Sequence, residues 1–199
     1  MLEETLVFVD GENLSIRYKE MLKEGRKPLA TNVVNGGSFI WSNNMFSKNS
    51  WNIKRVSYYT SVTGSDDAIL DLRKNISTTT YTSNDGSMRR TSQLIPFVRK
   101  KSNKSRKESV CDIAIAVDVM RACYNDHAPT IYIMSGDGDF VPLYNEVVHA
   151  GKHIYAAAFS SGQHEEIPLV VDEFFCLDDY FFEREAPLLE QEGVQAVGG

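Results

Sequence analysis

This sequence lacks the marks of several large function classes. It holds only three cysteines, Cys111, Cys123 and Cys176, too widely spaced for a C-x-x-C metal pair or a disulfide framework. They read as reduced core thiols of a cytoplasmic protein. No apolar run approaches the roughly 18 residues of a membrane helix, so no membrane partner is expected. The opening Met1-Leu2-Glu3-Glu4 lacks the basic, then apolar, layout of a signal peptide. The four histidines (His127, His149, His153, His164) do not stand at zinc-ligand spacing. There is no Gly-Lys-Ser/Thr phosphate loop, and Gly136-x-Gly138 stops short of a dinucleotide fingerprint, so nothing points to ATP, NAD or haem.

What is present is enough apolar material for a real core: 42% hydrophobic and 11% aromatic residues in 199. One domain over residues 1–185 is expected, with 28–52 as an insertion or cap and 186–199 as a flexible tail. The net charge is −6, yet Arg89 to Lys107 holds eight basic residues and no acidic one. A basic island in an acidic chain reads either as a local polyanion contact or as a solvated loop.

Short β-branched runs alternate with helical periodicity, the mark of an α/β protein. Strands are expected at Thr5–Val9, Ile53–Tyr59, Gln93–Val98, Thr130–Met134 and His153–Phe159. Helices are expected near Asn13–Lys23, Asp66–Ile76, Val110–Tyr124 and Phe140–Ala150, with a short one at Glu165–Val171. On the third helix, Val110, Ile113, Ala114, Val117 and Met120 share one face. The expected fold is a three-layer α/β/α sandwich around a mainly parallel sheet with right-handed crossovers.

Ligands of such sheets bind at the carboxyl ends of the strands, at the switch point. Asp10 follows the first strand there, and Asp137 with Asp139 follows the fourth. Converging carboxylates repel one another unless a cation neutralises them, and their hard oxygens suit Mg²⁺ or Mn²⁺. Asp112, one turn into its helix, is the favoured third contributor. Asp118, six residues on, lies about 240° around that helix and cannot point the same way. Taken singly, Asp10 and Asp139 also read as helix caps and Asp137 as a turn residue.

Val9-Asp10-Gly11-Glu12-Asn13-Leu14 resembles the D-x-x-N opening of the NYN domain, a LabA-like branch of the PIN-like, Rossmannoid nuclease superfamily. Val110-Cys111-Asp112-Ile113-Ala114-Ile115-Ala116-Val117-Asp118 resembles that family's second motif, and Ser135-Gly136-Asp137-Gly138-Asp139-Phe140 its third. The usual Lys-Gly-Val-Asp stretch is altered here to Lys107-Glu108-Ser109-Val110-Cys111-Asp112. The resemblance covers roughly residues 5 to 178. It implies a Mg²⁺- or Mn²⁺-dependent ribonuclease in which Asp10, Asp112, Asp137 and Asp139 hold metal. It also implies that Asn13 orients a ligand or water and that Ser135 reaches a phosphate or a second water. Hydrolysis by an activated water, endonucleolytic in an open groove, then needs no nucleophilic side chain. A homodimer is a further implication.

For the RNA partner, Lys100, Lys101, Lys104, Arg106 and Lys107 lie just ahead of Asp112 and are candidates to grip phosphates. Trp41, Phe46, Trp51, Tyr58 and Tyr59 are candidates either for base stacking or for the core. Two rivals are a catalytically silent RNA-binding or assembly module and a haloacid-dehalogenase-like phosphatase. The phosphatase needs Asp-x-Asp at strand one, where this chain has Asp10 and Glu12.

Overall fold

A computed structural model describes residues 3–46, 52–84, 88–101 and 110–184. In chain order the elements are β1 (Glu4–Asp10), α1 (Gly11–Lys23), β2 (Asn32–Asn35), β3 (Phe39–Ser42), β4 (Asn52–Val62) and α2 (Asp66–Thr78). Then come β5 (Thr80–Asn84), β6 (Arg89–Gln93), β7 (Ile95–Lys100), α3 (Val110–Tyr124) and β8 (Thr130–Met134). The chain continues with α4 (Val141–His149), β9 (His153–Ala158), α5 (Ile167–Val170), β10 (Glu173–Cys176) and α6 (Asp178–Phe181).

Six strands form one sheet in the order β10-β9-β8-β1-β4-β7, every pairing parallel. A strand buried on both faces is apolar throughout, and β1 shows why Leu6-Val7-Phe8-Val9 is continuous. Val7 and Val9 face one core with Leu14, Tyr18 and Met21 of α1 and Leu72 and Ile76 of α2. Leu6 and Phe8 face the other, with Ile115 and Val119 of α3 and Leu143, Tyr144 and Val147 of α4. The chain runs outward from β1 through β4 to β7, then returns through α3 to β8 on the other side. The switch point therefore lies between β1 and β8. Among the described residues no helix is long and apolar enough to cross a membrane.

Two features differ from the sequence expectation, besides β10, which adds a sixth parallel strand to the five expected. The chain makes two extra antiparallel hairpins, β2–β3 and β5–β6, so Gln93 ends β6 and the parallel strand starts at Ile95. The β2–β3 hairpin belongs to the core: Phe39, Ile40, Trp41, Met45 and Phe46 are all buried. The second difference is the face that α3 buries. Cys111, Ile115, Val119 and Ala122 meet the sheet, whereas Val110, Ile113 and Val117 are 44%, 63% and 49% exposed. This helix is apolar almost all round, so periodicity could not select the buried side.

The β2–β3 hairpin is tied to the sheet through Tyr58 of β4. Its hydroxyl donates to the Ile40 carbonyl at 3.2 Å and accepts from the Ile40 N–H at 3.3 Å. α1 starts directly against that ring. A Cβ on Gly11 would stand 2.2 Å from Tyr58 Cε1. The ring is held by both bonds to Ile40 and cannot retreat. Gly11→Ala is therefore expected to cost about 1–3 kcal/mol, read as a melting-temperature drop of roughly 2–4 °C per kcal/mol. An unchanged melting temperature would refute this packing constraint.

Candidate active site

Asp10 ends β1 and caps α1, and it is 2% exposed. Its Oδ1 accepts the Asn13 N–H at 3.0 Å. Its Oδ2 accepts the hydroxyl of Ser135, from the loop after β8, at 2.8 Å. Ser135 Oγ in turn accepts the Asp137 N–H at 3.2 Å, and Asn13 Oδ1 accepts the Gly136 N–H at 3.1 Å. The two motifs on either side of the switch point are thus joined by side chains. Asp137 Oδ1 accepts the Asp139 N–H at 3.0 Å, which shapes the turn leading into α4.

This loop is pressed against backbone. A Cβ on Gly136 would lie 2.1 Å from the Gly162 carbonyl oxygen, and one on Gly138 would lie 2.5 Å from the His164 ring. Glycine at these positions follows from close approach, which fits the Gly-Asp-Gly spelling of the motif.

Three carboxylates share one electrostatic field. Burial pushes Asp10 up to about 7; hydrogen bonds from Asn13 and Ser135 oppose this, and the charges of Asp112 and Glu12 add to it. Burial raises Glu12 as well, with Asp112 adding and Lys101 opposing. Lys101 Nζ stands 3.7 Å from Glu12 Oε2. The same three negative charges reinforce burial in pushing the Cys111 thiol up to about 12. Asp10 and Asp137, after burial, both raise the phenol of Tyr144, whose hydroxyl donates to the Ser135 carbonyl at 3.5 Å.

Asp112 therefore falls beside Asp10, and Asp118 does not. Asp118 Oδ2 accepts the Tyr59 hydroxyl at 2.9 Å, and its Oδ1 accepts from Arg121. Sequence reasoning missed Glu12; the signal was an acidic residue two positions after Asp10 in the first turn of α1. Of the basic residues, Lys101 reaches the site, while Lys100 is drawn to Asp66 at 2.8 Å. Lys104, Arg106 and Lys107 lie outside the described residues. The base-stacking alternative fails for Trp41, Phe46, Tyr58 and Tyr59, because each is buried in the core. Trp51 lies outside the described residues.

Among the described residues no three His, Cys, Asp or Glu side chains are already drawn into a closed metal cage. The donor set still fits a hard divalent cation: it is all oxygen, and the charges of Asp112 and Glu12 both bear on its buried central member, Asp10.

A family model described as the NYN domain matches residues 4–178. Among solved structures, a protein of unknown function from Vibrio parahaemolyticus RIMD 2210633 has the same fold. It matches with a TM-score of 0.58 at 17% identity, covering 92% of this chain and 97% of its own. No curated protein matches.

The Asp10 shift has a consequence for stability without metal. The folded state holds the Asp10 proton up to about 7, the unfolded chain only up to about 3.8. This contribution is therefore complete below the unfolded value and is lost as pH rises through about 7. In EDTA the wild type should lose thermal stability relative to Asp10→Asn between pH 4 and pH 8. A constant difference across that range would refute the shift.

Proposed function

Because this chain belongs to the NYN domain family, generally nucleases of the PIN-like superfamily, we propose that it is a Mg²⁺- or Mn²⁺-dependent endoribonuclease. The observation that supports this most is the buried Asp10 carboxylate, facing the charges of Asp112 and Glu12 at the switch point. Asp10, Asp112, Asp137 and Asp139 would hold the metal, and Glu12 joins them as a further oxygen donor or as a base. A divalent ion there would supply charge stabilisation for the phosphate and acidify a water.

The chain's own residues do the positioning. Asn13 N–H and the Ser135 hydroxyl fix both oxygens of Asp10, so its carboxylate is aimed before substrate arrives. The side-chain amide of Asn13 is locked by the Gly136 N–H and keeps its NH₂ for a water or a phosphate oxygen. Burial holds Glu12 above the usual carboxylate range, which makes its carboxylate the better proton acceptor near neutral pH. Lys101 offsets the local negative charge as a phosphate approaches. Attack by water leaves a 5′-phosphate and a 3′-hydroxyl.

Purified protein and end-labelled single-stranded RNA, in Mn²⁺, Mg²⁺ or EDTA, test this reading. Cleavage should need metal and fall on the order of a hundredfold or more in Asp112→Asn and Asp137→Asn, both folded. Glu12→Gln should shift the pH–rate profile as well as slow the reaction. Cleavage that persists in EDTA, or that leaves 2′,3′-cyclic phosphate ends, would sink the mechanism.

A further inference from the structure

We propose that the open face of the edge strand β7, with the cavity between it and α3, is a cradle for an unpaired nucleic-acid strand. This rests on the nuclease reading and adds to it the form of the substrate. β7 is the edge strand, and α3 covers β1 and β4 instead. The row of β7 on the α3 side, Ile95, Phe97 and Arg99, is therefore left open; Ile95 is 38% and Phe97 37% exposed. On the opposite face, which α2 packs against, Val98 is buried.

Phe97 lies flat on Tyr59, with ring centroids 4.6 Å apart and planes 9° from parallel. Tyr59 is fixed from behind by Asp118. One face of the phenylalanine is thereby backed by a rigid ring, and its exposed area is available to a second planar group. A cavity of about 260 Å³ opens there, lined by Arg55, Tyr59, Ile95, Phe97, Arg121 and His127. Its one acidic lining residue, Asp118, is already engaged by Tyr59 and Arg121. Among the described residues neither Arg55 nor Arg99 has an acidic ion-pair partner. In a chain of net charge −6, this is a basic, aromatic surface. Such a pairing suits backbone phosphates with stacked bases, and a duplex cannot offer its base faces.

Register places the cradle relative to the acidic corner. Asp10 pairs with Tyr59, and Tyr59 with Phe97. At about 4.8 Å per strand, Phe97 lies on the order of 10 Å across the sheet from Asp10. By strand alternation all three share the α3-side row; Asp10 and Tyr59 are buried beneath α3, Phe97 stands open beside it, and the cavity runs from Phe97 toward the amino ends of the strands at Arg55 and His127.

The test uses the full chain carrying Asp112→Asn, to stop turnover. Its affinity is measured for a fluorescein-labelled single-stranded RNA 12-mer, the matching DNA strand and the RNA duplex, across a salt series. Phe97→Ala should weaken the single strands by about five- to a hundredfold, and Phe97→Trp should restore binding. Arg55→Ala should reduce the salt slope by about one. Duplex binding should not respond to Phe97. Unchanged single-strand binding in Phe97→Ala and Arg55→Ala, while wild type still cleaves RNA, overturns the cradle and leaves the nuclease. Wild type that neither binds nor cleaves RNA removes both. A dimer in light scattering that Phe97→Ala disperses, with RNA binding intact, reassigns the face to self-association and overturns the proposal.

Discussion

Asp10 sits where β1 stops and α1 begins, and its carboxylate takes one hydrogen bond from each side of the switch point. The Asn13 N–H comes from α1 and the Ser135 hydroxyl from the loop after β8. These bonds let a carboxylate be buried at all, since an unpaired buried charge is among the most costly features a fold can hold. They also set the distance between the first and third motifs. Ser135 is placed by its own loop, and that loop is placed by the close approach of Gly136 to Gly162. The site is thus built from backbone contacts outward to the carboxylates.

The bonds do not fully compensate the charge. Asp112 and Glu12 add negative charge beside Asp10, and burial still holds its carboxyl near neutrality. That uncompensated charge is what the divalent cation of the proposed nuclease would offset. α1 contributes twice, through the cap at Asp10 and through Glu12. It can do so only because Gly11 lets the helix start against the Tyr58 ring. The β2–β3 hairpin, which holds that ring through Ile40, therefore acts on the site without touching it.

α3 has a divided role. Its first turn brings Asp112 beside Asp10, and six residues later Asp118 turns to Tyr59 and Arg121 instead. One helix thereby holds a carboxylate beside Asp10 at its start and fixes Tyr59, the ring on which Phe97 of β7 lies, further along its length. The acidic corner and the basic face are neighbours on the same side of the sheet.

Five of the six strands of the main sheet, and the acidic residues that follow β1 and β8, were legible in the sequence because their signals are local. A buried parallel strand must be continuously apolar, and an acidic residue at its end marks the ligand edge. The hairpins were not legible: β2 and β3 are four residues each within an Asn-, Ser- and Gly-rich stretch that carries no clear period. The buried face of α3 could not be read from a helix apolar on nearly every side. Glu12 and Phe97 gained meaning only from their neighbours, Lys101 and Asp112 for one, Tyr59 and an uncovered edge strand for the other. The sequence by itself determined five of the main strands, the four long helices and the acidic residues after β1 and β8, through periodicity and turn chemistry. Tertiary structure alone decided which aromatics are core, which carboxylates feel each other and which face stays open, because burial and charge depend on chain segments far apart in sequence.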